Sequence, residues 1–405
     1  MTGASRAAVE ALKRRPCPGC GAIDPEVVFE QRFARIAAAS LLAGYDVVVC
    51  RACGCGYADR IPPQSEFDAY YKELSKYEHQ DSGGQESVQD RARFVDIAAL
   101  IARHVPANST RVLEVGCANG GLLASLRDLG LSEISGLEPS PYSAAAAARL
   151  FGLRVRTGTL SDELRDPQPF GMIVLVGVIE HLRDISPALG RVRSALVPNG
   201  RIYVEVPDAT RFSEFLDAPF QQFSVEHVLF LSVASLERLL RRHGFTPVHQ
   251  ERLARSHTAN STMPVVAAVY QRSEETSAPI TKDEATLPAL RDYTTRSRAM
   301  DAGIQSAVDR VVAARTPIVV WGVGTHTTRL LQTSRLRQAN IRAFIDSNSN
   351  CQGKDVDGIP ILPPTALIGR PEPVLVSSRV FQSEIVAQIR DTLRCTNEII
   401  LLYPN

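Results

Sequence analysis

The sequence has almost no net charge and no long apolar run. Its 45 lysines and arginines stand against 44 aspartates and glutamates, leaving +1 over 405 residues. That balance offers no electrostatic case for a nucleic acid or an anionic membrane as partner. The longest apolar stretch, Met172 to Leu182, is broken by Glu180 and His181 and is too short to span a bilayer. The opening residues, MTGASRAAVEALKRR, lack the apolar core of a secretion signal, and the expectation is a cytoplasmic protein. Cysteine is sparse outside one region: Cys117, Cys351 and Cys395 are isolated, whereas Cys17, Cys20, Cys50, Cys53 and Cys55 cluster near the start. In a reducing compartment such clustering favours metal over disulfides. What remains is the composition of a soluble globular chain, 44% hydrophobic and 22% charged. Its length suits two or three domains rather than one core.

Cys17-Pro-Gly-Cys20 and Cys50-Arg-Ala-Cys53 are two C-x2-C pairs with residues 21–49 between them. Each pair sits in glycine- and proline-rich sequence, where a tight knuckle aims two sulfurs at one ion. Four thiolates satisfy tetrahedral zinc and leave no open position, so the expected site is structural. Cys55 competes with Cys53 for the fourth place, and spacing alone leaves that open.

Five segments follow from the patterning. Residues 1–60 form the cysteine module, and 61–87 a tyrosine-rich connector holding Tyr70, Tyr71 and Tyr77. From 88 to 270 strands and helices alternate: RVLEVG, EISGLEPS, LRVRTGT, MIVLVGV and RIYVEVP read as strands, with helices such as SAAAAARLFG between them. Residues 271–288 are polar and read as a linker, and 289–405 hold a second alternation. The fold class is therefore α/β, with a parallel sheet covered on both faces and ligands expected beyond the carboxyl ends of its strands.

Val112-Leu-Glu-Val-Gly-Cys-Ala-Asn-Gly120 opens the central sheet. Glu114 and Gly116 end a strand, Ala118, Asn119 and Gly120 form a small-residue loop, and a helix follows, which brings backbone close to a ligand. About twenty residues on, Glu138 ends the next strand, placed to accept hydrogen bonds from ribose hydroxyls. This spacing fits any nucleoside cofactor. Two histidines follow acidic residues, Glu180-His181 and Glu226-His227. His181 lies just past the fourth strand of the alternation, at the edge where a ligand is expected.

VLEVGCANG, GLEPS, FGMIVLVGVIEHL and RVRSALVPNGRIYVEVP resemble the motifs and strands of class I S-adenosylmethionine methyltransferases. Taken with the cysteine pairs before them and the E-H-x-x-x-x-S segment after them, the whole chain resembles the zinc-containing sugar C-methyltransferases of deoxysugar pathways. The resemblance implies a zinc-binding module, a central Rossmann-like methyltransferase sheet and a C-terminal Rossmann-like domain. S-adenosylmethionine would be held by Glu114, Gly116, Ala118, Asn119, Gly120 and Glu138, with Thr159 and Leu160 flanking adenine. It also implies a sugar-nucleotide substrate, His227 as base with Glu226 and His181 beside it, and Tyr70, Tyr71, Tyr77, Glu180 and Ser224 near the acceptor. Three departures stand out. Ala118 replaces a glycine and requires a negative φ, Gly171 replaces an acidic residue, and Ser224 replaces a tyrosine.

A neutral imidazole suits the implied chemistry, because a carbon next to a ketone becomes nucleophilic only on losing a proton. Methylation of oxygen or nitrogen in another small metabolite is the competing activity. A non-catalytic binding protein that keeps the fold is the competing class. In the last segment Pro317-Ile-Val-Val-Trp-Gly322-Val-Gly324 enters a glycine turn and a strand ends at Asp346, but Thr327 stands where a dinucleotide fingerprint has its third glycine. A Rossmann-like module without bound NAD is expected there, and an NAD oxidoreductase is the weakest reading.

Overall fold

The structure, a computed structural model, describes residues 3–37, 40–74, 83–107, 110–162, 164, 166–258, 261–274 and 281–403. Tyr77 lies outside the described residues. The chain begins with a short helix, α1 (Gly3–Glu10), then three antiparallel strands, β1 (Pro25–Arg32), β2 (Gly44–Cys50) and β3 (Gly56–Asp59). All of β2, GYDVVVC, is buried on both faces, which explains its unbroken valine run. The helix α2 (Gln64–Leu74) follows.

The central layer runs α3 (Val88–Ala102), β4 (Val112–Val115), α4 (Gly121–Asp128), β5 (Ile134–Glu138), α5 (Pro141–Phe151), β6 (Val155–Thr157), β7 (Phe170–Val176), α6 (Ile185–Ala195), β8 (Leu196–Pro207), β9 (Leu229–Phe230), α7 (Val233–Arg242), β10 (Phe245–Thr258) and β11 (Ser261–Arg272). Local chemistry sets the ends of α5. Ser140 caps it by accepting from the Ser143 amide at 3.2 Å, Pro141 preorganises its first turn, and Gly152 closes it at φ +66°. Seven of these strands form one sheet in the order β10-β11-β8-β7-β4-β5-β6. Strands β4 to β8 are mutually parallel, and β11 runs antiparallel to both β8 and β10. The chain moves outward from β4 to β6, then returns to the other side of β4 as β7. That reversal opens a crevice beyond the carboxyl ends of β4 and β7.

The remaining short strand, β9, leaves this layer and pairs with β3, Gly56 against Phe230 and Tyr57 against Leu229, completing a sheet β1-β2-β3-β9. One apolar core accordingly joins the cysteine segment (Val47, Tyr57) and α2 (Phe67) to one face of the central sheet (Ile173, Leu175, Val204). The other face packs Val174 and Val269 against Ile97, Ile101, Leu123 and Leu126 of α3 and α4.

The long helix α8 (Thr286–Ala314) leads into β12 (Ile318–Trp321), α9 (Thr325–Thr333), β13 (Ile341–Ile345), β14 (Asp355–Val356), β15 (Ile359–Leu362), β16 (Val374–Val376), α10 (Gln382–Ala387) and β17 (Ile399–Leu401). Their sheet has the order β14-β15-β13-β12-β16-β17 and is parallel except for β14. The polar stretch expected as a linker is in part docked. Asp283 is 3% exposed; it accepts from the hydroxyls of Ser232 and Thr286, each at 2.6 Å, and its amide donates to the Cys53 carbonyl at 3.0 Å. One aspartate thus fastens the starts of α7 and α8 to the second cysteine knuckle. Composition alone hides this because its partners are remote in sequence. Among the described residues no helix is long and apolar enough to cross a membrane.

Candidate active site

Cys17, Cys20, Cys50 and Cys53 bring their sulfurs within 4.8 Å of one another. Cys17 and Cys53 are 3.6 Å apart, and Cys20 and Cys50 3.5 Å. Four sulfurs at zinc–thiolate distance in a tetrahedron stand about 3.8 Å apart, so the cluster fits that ion with small adjustments. Cys55 turns its thiol to the Gly56 carbonyl and stands outside the four. The hydrogen bond with Cys17 and then burial hold the Cys53 thiol up, and burial raises that of Cys50, so a bound cation would displace protons here.

At the glycine loop, Gly116 has φ +69°, and a Cβ on it would fall 2.9 Å from Val178 Cγ2. Backbone is therefore exposed to the crevice where a side chain has no room. Glu138 Oε2 accepts from the Ala118 amide and Oε1 from the Ser140 amide, both at 2.9 Å, which presents its carboxylate at the end of β5. Glu114 is buried; burial first, then Glu86 and Glu138, push its carboxyl well above the usual range, and its Oε2 has no hydrogen-bond partner. Leu160 lines a cavity of about 160 Å³ with Gln64 of α2, Leu182, and Arg191 of α6. The Thr159 amide is held by Asp162 at 2.8 Å. Asn119 is buried in the same loop, and Gly120, at φ +89°, starts α4. This loop fits a nucleoside cofactor by its close backbone approach, its terminal carboxylate and its buried unpartnered oxygen.

Ala118 does not have the negative φ expected of it; it sits at φ +44°. The loop needs a left-handed residue to turn its amide onto Glu138, and the alanine methyl makes that conformation cost about 1 kcal/mol. Ala118→Gly should therefore raise stability by up to about 1 kcal/mol, read as a higher urea midpoint at unchanged slope. A lower midpoint would contradict the strain.

The two acid–histidine pairs meet at the crevice. The rings of His181 and His227 are 5.0 Å apart at 77°. His181 Nδ1 lies 2.8 Å from the Tyr71 hydroxyl and 3.2 Å from the Glu226 carbonyl. The hydroxyl can donate to this nitrogen or accept from it, whereas the carbonyl only accepts, so the two contacts distinguish the tautomers of the ring. Tyr70 donates to Glu226 Oε1 at 3.1 Å, so α2 closes over both acid–histidine pairs. The Ser224 hydroxyl accepts from the amides of Glu226 and His227, at 3.3 and 3.2 Å, and shapes their loop. Burial raises the Glu180 carboxyl to about 8, and its Oε2 has no partner. That shift favours the protonated carboxyl near pH 7.

Sequence reading missed Arg15. It is buried and donates to the carbonyls of Ala58, Arg183 and Val228 at 2.8–3.0 Å, tying the cysteine segment to the loops of both histidines. Burial, then Arg183, lowers its guanidinium to about 10. An arginine just before the first knuckle is the only signal, and it reads as surface charge. In the last sheet Asp346 repeats the Glu138 arrangement, accepting from the amides of Val323 and Asn348 at 2.8 Å, while Thr327, buried, donates to the Gly322 carbonyl at 2.7 Å.

Residues 89–250 match the family model described as a methyltransferase domain, and residues 251–404 the one described as the C-methyltransferase C-terminal domain. The C-methyltransferase NovU of Streptomyces niveus is 24% identical over 378 residues, covering 89% of this chain and 86% of that protein. The protein is an S-adenosylmethionine-dependent methyltransferase, similar to the C-methyltransferases along most of its length. Its central sheet is the class I methyltransferase fold, and S-adenosylmethionine is the cofactor. More distant similarity reaches a ubiquinone biosynthesis O-methyltransferase of Xylella fastidiosa, 30% identical over 27% of this chain and 47% of that one. A solved 1,6-didemethyltoxoflavin-N1-methyltransferase of Burkholderia thailandensis covers 62% of this chain and 100% of its own, at 18% identity and TM-score 0.41.

Proposed function

We propose that the protein methylates a carbon next to the ketone of a nucleotide-linked sugar, with His227 as general base. The meeting of His181, His227 and Glu226 at the crevice beyond β4 and β7, under the tyrosines of α2, carries this reading. When bound, the cofactor supplies an activated methyl on a sulfonium sulfur.

In this scheme the glycine loop and Glu138 would hold the nucleoside, with Leu160 and Thr159 beside adenine. His227 takes the proton from the acceptor carbon. The Tyr71 hydroxyl and the Glu226 carbonyl fix the His181 ring, and Glu226, steadied by Tyr70, is placed to bind a sugar hydroxyl. Glu180, held neutral by burial, can donate a hydrogen bond to the oxygen that gains charge as the proton leaves. Zinc held by Cys17, Cys20, Cys50 and Cys53 braces the module from which β3 contacts β9. On this scheme residues 1–60 are the zinc-binding module, 61–87 the cap, 88–270 the catalytic domain, 271–288 the connection and 289–405 a Rossmann-like domain that helps hold the nucleotide end of the substrate.

Incubation with methyl-labelled cofactor and a panel of keto-sugar nucleotides tests the proposal. The expected product carries the label on carbon α to the ketone. Label on oxygen or nitrogen would replace it with the other methyltransferase activity.

A further inference from the structure

Three glutamates from three segments converge on the start of α4. Glu138 reaches the Ala118 amide from β5. Glu114, at the end of β4, takes the Leu123 amide and keeps its second oxygen buried without a partner. The third is Glu86, in the connector, which takes the Gly121 amide. A Cβ on Gly121 would fall 1.8 Å from Glu86 Oε1, so the carboxylate is seated against the backbone there. A helix N-terminus carries about half a positive charge, which three carboxylates exceed.

The surroundings do not make up the difference. On α3, Asp90 adds to the negative charge around Glu86, while Arg91 and Arg93 offset it only in part; Arg93 pairs with Asp90 at 2.8 Å. On α5, Arg149 donates to the Gly83 carbonyl. Glu114 also faces Cys117. Burial first, then Asp90, raises the Glu86 carboxyl to about 7. Carboxyls kept from ionising by burial and by each other ionise when a cation arrives.

The cofactor is such a cation. Its α-ammonium and sulfonium outweigh its one carboxylate by a single charge. When the methyl leaves, the electron pair of the S–C bond stays on sulfur, and the demethylated product has no net charge. Resting on the cofactor site read above, we propose that Glu86 makes this site select the positively charged methyl donor over its uncharged product. Binding of the donor then releases protons from Glu86 and Glu114, and loss of the sulfonium charge returns them, which favours product departure.

Titration calorimetry on the full chain with S-adenosylmethionine and with S-adenosylhomocysteine tests this. Between about pH 6 and about pH 8, affinity for the donor should rise about tenfold while affinity for the product changes less than about twofold. Glu86→Gln should flatten that dependence and weaken donor binding about tenfold at the upper end. Retained product affinity in the same variant shows that it folds. Equal weakening of both ligands, or an unchanged ratio, overturns the proposal. Failure of the unmodified protein to bind either ligand would remove the cofactor site itself, and the proposal with it.

Discussion

His227→Ala should lower methyl transfer by about 100- to 10,000-fold, the usual worth of a positioned general base, while cofactor affinity stays within about twofold. The split follows from position. His227 belongs to the loop before β9, whereas Gly116 and Leu160 belong to loops after β4 and β6, and Glu138 ends β5. Removing the imidazole leaves the cofactor loops untouched. Label transfer from S-adenosylmethionine gives the rate and calorimetry gives the affinity. A second measurement separates base from bystander: with cofactor omitted, the unmodified protein should exchange the acceptor's C–H with deuterated water, and the variant should not. Exchange that persists in the variant would move the base to His181. A rate loss matched by an equal loss of cofactor affinity would mean that the ring supports the fold instead.

Breaking the cysteine cluster should have the largest effect on stability. Cys50→Ser removes one of four sulfurs that meet within 4.8 Å, and Cys50 also ends the fully buried β2. Structural zinc contributes about 10–16 kcal/mol of binding in small peptides. Loss of even a few kcal/mol should lower the melting temperature by about 10 °C or more, at roughly 2–4 °C per kcal/mol for domains of this size. The damage should reach catalysis, because β3 pairs with β9 and Arg15 bridges Ala58 to Val228, next to His227. Metal analysis should find one zinc per chain in the unmodified protein and little in Cys50→Ser. Cys55→Ser should keep its zinc, since that thiol lies outside the cluster. A metal-free protein of full stability would remove the zinc centre, and loss of metal from Cys55→Ser would redraw its ligand set.

How much of this was legible in the sequence depended on how local each signal was. The two knuckles were legible because a C-x2-C turn is made by adjacent residues, and the four sulfurs do converge. The order of strands and helices from Val112 to Pro207 was legible for the same reason: each element carries its own periodicity and ends, as the caps at Ser140 and Gly152 illustrate. Choosing Cys53 over Cys55 needed coordinates, because both follow the same turn. The φ of Ala118 was misjudged because its conformation is set by Glu138, a residue on another strand. Arg15, Glu86 and Asp283 were invisible for a related reason. A charged residue in a polar stretch reads as solvated, and only tertiary contacts with Val228, Gly121 and Cys53 show it to be anchored. Ser224 was placed toward the acceptor by resemblance, and the hydrogen bonds that its hydroxyl accepts from the Glu226 and His227 amides were not legible from that resemblance.

The strand β9 also bears on how the chain is made. The first sheet is laid down from the amino terminus but stays one strand short until Phe230 has left the ribosome. At synthesis rates of about 5–20 residues per second, β3 spends many seconds with an open edge, the kind of surface that recruits strands from other chains. Early capture of a metal ion by the knuckles would hold that nascent sheet in register while it waits. Growth medium depleted of zinc should then show up first as inclusion bodies, before any defect in the finished enzyme.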